Sequence, residues 1–310
     1  MWNWYRISRL KCLFLVIVVA LVSGVFSQQT TPSISVDVRL VNLNVAVLDK
    51  NGRAYTGLTA DRFRIYDNGV EQSIHHFSAE DMPYSLGIVL DRSGSMSEMI
   101  QDVYNAAFHT VRASKPGDEF FVELFNDRVE MRQDVTSDQE LLQRQLKGVV
   151  ASGSTALYDA ILVGLNRLKQ DQRDKKALLV VTDGADNSSK HSFEEVLERA
   201  RADGVVIYMV GMFDQTMRGG EEDQLRALLE QIAEVTGGRA YFPRTVKQCE
   251  EACIAIAKDL REQYSLGYYP RPKLFDGSWR TVQVQLALPE DLYDQGLRAR
   301  TRAGYYAPRQ

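Results

Sequence analysis

The fold of this chain is decided by YSLGIVLDRSGSM at residues 84–96. The stretch begins as an apolar strand and breaks at Asp91 into a polar loop that contains a glycine. A second apolar run, at residues 177–182, breaks in the same way at Asp183. Apolar runs without alternation are typical of parallel strands that are buried on both faces of a sheet. The two breaks therefore predict two loops at the carboxyl edge of one open sheet, where ligands bind.

Strand patterns alternate with helical patterns through residues 83–263. Two of the helix starts carry a capping box, one formed by Ser137 with Glu140 and the other by Ser192 with Glu195. Strands that alternate with helices in this way are typical of a doubly wound α/β domain. We therefore predict a mostly parallel sheet, similar to a Rossmann fold, with helices on both faces.

Short strand patterns flank this domain on both sides. Residues 28–82 contain alternating apolar runs and the turn signals Asn51-Gly52 and Asp67-Asn68-Gly69. Residues 264–310 contain three more such runs, at 264–269, 281–288 and 297–305. Neither flank is long enough to bury a core alone. We predict that the two flanks pair into one small β-sandwich, into which the α/β domain of residues 83–263 is inserted.

Five side chains with oxygen atoms are expected to gather at the carboxyl edge of the sheet: Asp91, Ser93, Ser95, Thr155 and Asp183. The two carboxylates would neutralise a divalent cation, and the three hydroxyls would add neutral oxygen ligands. Such a site suits a hard cation that keeps open positions. Mg²⁺ is the first choice, with Mn²⁺ and Ca²⁺ as alternatives.

The Asp91-x-Ser93-x-Ser95 run, the Thr155 loop and the Thr-Asp183-Gly loop resemble the metal-ion-dependent adhesion site of von Willebrand factor A domains. The resemblance covers roughly residues 84–264. It implies that the hydroxyls bind the metal directly and that one or both aspartates act through water. It also implies a partner protein whose Asp or Glu carboxylate completes the coordination of the ion, and hence a role in adhesion.

The flanks resemble those of secreted bacterial proteins that carry a von Willebrand A-type domain between short β segments. The resemblance rests on DNGVEQ at residues 67–72 and on RAGYYAP at residues 302–308. It adds no ligand or activity to the expectation above.

Each of the five site residues also has a plainer interpretation, because Asp, Ser and Thr commonly cap helices or hold turns after a strand. For each residue considered alone, capping or turn formation is the favoured interpretation. For the five residues considered together, in three loops of one sheet edge, a metal site is favoured. The alternative function is therefore a structural or assembly module of the cell envelope in which no metal binds.

No enzymatic centre is predicted. Neither the G-x-S-x-G motif nor a phosphate-binding loop ending in Lys-Ser or Lys-Thr occurs in the sequence. A nucleophilic serine needs a base within reach, and His191, the histidine nearest the predicted edge, has no orienting acid at a recognisable spacing. Asp159 is interpreted as a carboxylate in the first turn of a helix, and Asp186 as a supporting group of the site or an exposed loop acid.

Residues 1–27 have the pattern of a secretory signal peptide, with a basic start and an apolar run at residues 12–26. The run is shorter than the ~20 residues of a typical spanning helix. We predict a secreted or periplasmic protein; an uncleaved membrane anchor formed by residues 12–26 is the alternative. The formal net charge of −4 argues against nucleic-acid binding. Cys249 and Cys253 are interpreted as small buried residues rather than as a disulfide.

Overall fold

The computed structural model describes residues 40–79, 81–213, 219–273 and 275–309. The predicted signal peptide at residues 1–27 and the first predicted strand residues, 34–39, lie outside these ranges. Within them, no helix combines the length and the apolar character that a membrane crossing requires.

The described residues form fourteen strands and six α-helices. The strands are β1 Val41–Leu48, β2 Phe63–Asp67, β3 Val70–Gln72, β4 Ile74–Ser78, β5 Tyr84–Asp91, β6 Glu119–Phe125, β7 Val129–Thr136, β8 Lys175–Thr182, β9 Val206–Gly211, β10 Ala240–Tyr241, β11 Tyr264–Tyr268, β12 Trp279–Leu286, β13 Arg298–Arg300 and β14 Gly304–Tyr306. The helices are α1 Ile100–Arg112, α2 Gln139–Gln145, α3 Leu157–Lys169, α4 Phe193–Asp203, α5 Gly219–Val235 and α6 Val246–Arg261. Short 3₁₀ turns cover Ala60–Arg62, Gly94–Glu98 and Glu290–Gln295.

The central sheet has the strand order β10-β9-β8-β5-β6-β7. Every neighbouring pair is parallel except β6 with β7, which is antiparallel. The chain leaves β5 towards β6 on one side and later returns to β8 on the other side. The strand order therefore reverses between β5 and β8, which is the position where doubly wound sheets bind ligands.

Helices cover both faces of the central sheet. One core packs α1, α2 and α6 against residues of β5 such as Leu86, Ile88 and Leu90. The other packs α3, α4 and α5 against residues such as Val89 and Phe121. The predicted doubly wound α/β class is confirmed.

The flanking strands form two further antiparallel sheets, with orders β13-β1-β11-β4 and β14-β12-β2-β3. In each sheet, strands that precede the α/β region pair with strands that follow it, because β1 pairs with β11 and β2 pairs with β12. Inward-facing residues of both sheets share a third core, with Leu43, Ile65 and Tyr268 fully buried. The sandwich with an inserted α/β region is thus observed, whereas the boundaries of separate domains at 82/83 and 263/264 stay predictions.

Two local predictions were wrong. Residues 297–305 form two strands instead of one, since β13 pairs with β1 and β14 pairs with β12 in the other sheet. The backbone at the break is hydrogen-bonded elsewhere, with the Ala303 N–H donating to the Val235 carbonyl. Helix α2 is capped by Asp138, whose carboxylate accepts the Leu141 N–H, and not by Ser137. The capping box of Ser192 with Glu195 is present.

Glu123 is a buried carboxyl group in the central sheet. Its neighbours on the same face of β6, Phe121 and Phe125, belong to the apolar core, and both of its carboxyl oxygens are enclosed without a hydrogen-bond partner. Burial raises the pKa of Glu123 from 4.5 to about 9. The folded protein therefore holds a proton at neutral pH that the unfolded chain releases.

Glu123→Gln is expected to remove a pH-dependent cost of folding. Because the folded-state pKa is raised, the cost is absent below pH 4.5 and grows as pH rises towards 9, by about 1.4 kcal/mol per unit. Between pH 4 and pH 7, the free energy of unfolding of the variant should rise by roughly 3 kcal/mol relative to that of wild type. Urea unfolding at each pH measures this difference. Glu140→Gln, at an exposed site on α2, is the control. A stability difference that stays constant from pH 4 to pH 8 would contradict this account.

Candidate metal centre

The candidate centre lies at the carboxyl edge of the central sheet, between β5 and β8. Asp91 is the last residue of β5, and Ser93 and Ser95 follow in the loop and 3₁₀ turn before α1. Asp183 follows the last residue of β8 directly. Thr155 lies two residues before α3. The five predicted residues thus come from three loops at the same edge, which is where the sequence placed them.

Hydrogen bonds connect the first loop to the third. The Ser93 and Ser95 hydroxyl oxygens lie 3.1 Å apart, and the Ser95 hydroxyl donates to Oδ1 of Asp183 at 2.9 Å. Asp91, Ser93 and Asp183 are buried, whereas Ser95 is exposed. Ser95 is therefore the exposed residue of this group, while both aspartates are buried.

Both carboxylate oxygens of Asp91 accept hydrogen bonds. Oδ1 accepts the Ser93 N–H at 2.7 Å, and Oδ2 accepts the Thr182 hydroxyl at 2.7 Å. Burial raises the pKa of Asp91 above its usual value, while these two hydrogen bonds act in the opposite direction. A nearby cation would favour the charged form of a carboxylate held in this way.

Thr155 is held against the Asp183 loop by its backbone. Its N–H donates to the Asn187 side chain at 2.8 Å, and its carbonyl accepts the N–H groups of Asn187 and Ser188. Its hydroxyl oxygen lies 3.9 Å from the position that a Cβ would occupy on Gly184. The Thr155 hydroxyl therefore faces the turn that follows Asp183.

Two backbone hydrogen bonds fix the first loop to the Thr155 loop. The Gly94 N–H donates to the Gly153 carbonyl at 3.0 Å, and the Ser152 N–H donates to the Arg92 carbonyl at 2.8 Å. Gly153 has a φ of +82°, and a side chain there would collide with Asp127. The positive φ disfavours other residues, so glycine suits this position between the two loops.

Sequence reasoning missed three residues that support the centre. Thr182 orients Asp91, Asn187 holds Thr155, and the Tyr104 hydroxyl donates to the Asp91 carbonyl at 2.9 Å. Thr182 and Asn187 flank Asp183 in a loop rich in hydroxyl and amide side chains, which was the available signal. Tyr104 lies within α1, and no local pattern indicates its contact.

The interpretation of His191 needs correction, because the structure supplies the acid that its sequence neighbourhood lacks. Asp159, in the first turn of α3 as predicted, lies 2.7 Å from Nδ1 of His191 and also accepts the N–H groups of Lys190 and His191. Burial alone would raise the pKa of Asp159, but these contacts hold it below its usual value. Asp186 accepts the Tyr158 N–H and the Ser189 hydroxyl, which ties the Asp183 loop to α3.

The donor set is of the kind that hard divalent cations prefer, because it offers carboxylate and hydroxyl oxygens. The separations of 3.1 Å for Ser93–Ser95 and 2.9 Å for Ser95–Asp183 are hydrogen-bond distances, which do not distinguish one such ion from another. No cluster of three or more His, Cys, Asp or Glu residues suited to a metal occurs in the described part of the chain. A cation here would thus depend on hydroxyl ligands.

Comparison with known proteins identifies the family. The sequence model of the von Willebrand factor type A domain matches residues 86–252, which is more than half of the chain. The chain therefore belongs to the von Willebrand factor type A domain family. The resemblance drawn from the three loops is confirmed at this level. That the five residues bind a metal stays a prediction.

Solved structures similar to this chain come from several bacteria. A von Willebrand factor type A protein from Catenulispora acidiphila is 12% identical, with a TM-score of 0.50 over 89% of this chain and 75% of that chain. An aerotolerance-related membrane protein from Bacteroides fragilis is 16% identical, with a TM-score of 0.46 over 56% of this chain and 98% of that chain. The domain of the type V pili tip protein Mfa5 from Porphyromonas gingivalis is 10% identical, with a TM-score of 0.45 over 58% and 95%. Among curated proteins, none matches this chain.

Proposed function

We propose that this protein binds a partner protein through a divalent cation, Mg²⁺ in the first place, held by Asp91, Ser93, Ser95, Thr155 and Asp183. The observation that carries the proposal is that the Ser93, Ser95 and Asp183 side chains are linked at the sheet edge where the strand order reverses, with Asp91 and Thr155 on the adjoining loops. A cation neutralised by only two carboxylates stays electrophilic, and it would supply a binding position for an acidic side chain of the partner.

The residues around the centre would orient the ligands and leave one side accessible. Thr182 and the Ser93 N–H fix the carboxylate of Asp91 below the surface, while Ser95 is exposed beside it. An Asp or Glu side chain of the partner would approach from the side of Ser95.

We propose binding rather than catalysis. A metal-assisted hydrolase needs a general base beside the ion. Asp186, the acid that the sequence offers for this role, is hydrogen-bonded to Tyr158 and Ser189. His191 is directed at Asp159 on α3 through its Nδ1 atom. Both groups therefore support the loops.

The predicted leader places this binding outside the cytoplasm, in the periplasm or beyond the cell. If residues 12–26 were retained, the same module would be held at the membrane. In either case we propose that the acidic ligand belongs to another protein of the cell envelope or the surroundings.

The experiment is a capture assay with the immobilised chain in Mg²⁺-containing buffer. Extracellular and envelope proteins are applied to wild type and to Asp91→Ala, and those released by EDTA are identified by mass spectrometry. We expect a set of proteins that wild type retains, that EDTA releases and that Asp91→Ala does not retain. Identical captured sets for the two chains, or retention unchanged in EDTA, would reject the proposal.

The alternative, a structural module without a metal, has one observation in its favour. The Ser93, Ser95 and Asp183 side chains lie at ordinary hydrogen-bond distances and so satisfy one another without an ion. The two functions differ in calorimetry, because only the metal-dependent one predicts a saturable heat with Mg²⁺ or Mn²⁺.

Thr182→Val is expected to weaken metal binding while preserving the shape of the core. Valine keeps the volume of threonine but removes the hydroxyl that donates to Asp91 at 2.7 Å. Loss of a group that orients a ligand typically lowers metal affinity about 10–100-fold. The check is Mn²⁺ titration by calorimetry, with Thr110→Val as the control because Thr110 is equally buried but lies on α1 and donates to the Ala107 carbonyl. An unchanged Mn²⁺ affinity in Thr182→Val would contradict the role assigned to Thr182.

A further inference from the structure

A cavity of about 490 Å³ lies at the amino-terminal ends of β8 and β9. The candidate metal centre is at the opposite, carboxyl edge of the sheet. The cavity is bounded by β1 and β14 of the sandwich, the end of α4 and the loop that precedes β8. Its volume is in the range of small-molecule sites, roughly 300–1,000 Å³. The closing RAGYYAP segment at residues 302–308 lines it, and the proposed function gives that segment no role.

Arg302 is one of the charged residues that line this cavity. Its Nη2 donates to the Asn42 carbonyl at 3.0 Å, but its Nε is fully enclosed without a hydrogen-bond partner. No salt bridge to Arg302 occurs within the described residues. Burial lowers the pKa of Arg302 from its usual value, which reflects a charged group without a compensating acid.

Gly204 lies close to the guanidinium of Arg302. Gly204 ends α4 with a φ of +65°, and a Cβ built there would lie 3.0 Å from Nη1 of Arg302. On the other side, the guanidinium carbon lies 5.7 Å from the centre of the Tyr305 ring. Arg302 is therefore held between a backbone carbonyl and an aromatic ring, with donors left over.

The charges around the cavity favour an anion. Arg173 is paired with Glu119 at 2.6 Å, and Asp203 with Arg199 at 2.5 Å, so these two lining residues are already neutralised. The lining groups that form no salt bridge within the described residues are Arg302, Lys176, Lys273 and Asp174. Lys176 donates to the Asp171 carbonyl at 2.7 Å, and its charge acts on the Asp171 carboxylate. Two cations, Arg302 and Lys273, therefore remain against one carboxylate, Asp174.

We propose that this cavity binds a small organic oxyanion, a carboxylate or a phosphate monoester, whose charged group contacts Arg302. Its apolar body lies against Phe275 and Tyr305, which also line the cavity. An oxyanion would accept hydrogen bonds from the unused guanidinium donors, and charge-assisted bonds of this kind are the strong ones. The site is separate from the candidate metal centre and does not depend on it.

Calorimetric titration of the full chain in EDTA tests the proposal with benzoate, phenyl phosphate and the uncharged benzyl alcohol. We expect saturable binding of one molecule per chain for at least one oxyanion, and none for benzyl alcohol. Binding of benzoate would assign the site to carboxylates, and binding of phenyl phosphate would assign it to phosphate monoesters. Arg302→Gln should weaken the binding at least about tenfold, while the matched exposed change Arg298→Gln on β13 should leave it unaltered.

Lys273→Gln keeps the test decisive if Arg302→Gln does not fold, because Lys273 is exposed and its replacement leaves the core intact. Weaker oxyanion binding by Lys273→Gln supports the site. If Arg302→Gln does not fold and Lys273→Gln binds the oxyanion as tightly as wild type, the proposal is overturned. Absence of saturable binding for both oxyanions overturns the proposal, as does oxyanion binding that Arg302→Gln leaves unchanged. Benzyl alcohol binding as tightly as the oxyanions would overturn the assigned charge selectivity.

Discussion

Replacement of both Ser93 and Ser95 by alanine is expected to abolish Mg²⁺ and Mn²⁺ binding while the protein stays folded. The two hydroxyls would be direct ligands, and they connect the Asp91 loop to Asp183. Loss of even an outer supporting group costs about 10–100-fold in metal affinity, so loss of two ligands should exceed about 100-fold. Calorimetric titration with Mn²⁺, alongside thermal unfolding in EDTA, measures both effects.

Ser97→Ala is the matched control for this double variant. Ser97 lies in the same 3₁₀ turn, Gly94–Glu98, and is exposed. Its replacement should leave Mn²⁺ affinity equal to wild type. Equal Mn²⁺ heats for wild type and the double variant would show that these hydroxyls hold no ion.

Asp67→Ala is expected to destabilise the sandwich by about 3–5 kcal/mol, the typical effect of breaking a buried ion pair. Asp67 is fully buried, and its Oδ1 accepts Nε of the equally buried Arg280 at 2.7 Å. Its Oδ2 accepts the hydroxyls of Tyr268 and Tyr305 at 2.9 and 2.8 Å. Burial and hydrogen bonding to Asp67 raise the pKa of Tyr305 to about 12, so its hydroxyl keeps the proton that it donates.

The cost of Asp67→Ala comes mainly from the groups left behind. Without Asp67, the charge of Arg280 stays buried without its partner, and the Tyr268 and Tyr305 hydroxyls lose the acceptor that they share. Urea unfolding at pH 7 measures the effect, and Glu71→Ala is the control, because Glu71 forms an exposed pair with Arg64 at 3.6 Å on the same hairpin. Such exposed pairs contribute only about 0–1 kcal/mol. Similar losses of stability in the two variants would contradict the assigned role of Asp67.

The central sheet and the site loops could be predicted from the sequence because their signals are local. The sequence shows the same pattern at Asp91 and at Asp183, namely a buried strand, a polar break and a following helix. Parallel topology then places both breaks at the same edge of the sheet. The pairing of the flanks was also predictable, since neither flank could bury a core alone.

The remaining features depend on contacts between distant parts of the chain. The acid that orients His191 is Asp159, which lies on another element, so spacing along the sequence gives no signal. The burial of Asp67 with Arg280 joins residues from the two flanks, and a turn motif such as Asp67-Asn68-Gly69 predicts an exposed acid. Glu123 breaks the apolar pattern of β6 without any partner that sequence could indicate.

Crystals grown with Mn²⁺ and measured at a wavelength where manganese scatters anomalously test the central claim most directly. We expect one anomalous peak at the carboxyl edge, surrounded by the hydroxyl oxygens of Ser93, Ser95 and Thr155 at ~2.1 Å, with the carboxylates of Asp91 and Asp183 bound directly or through water. Ordered side chains in the same positions without an anomalous peak at saturating Mn²⁺ would contradict the account.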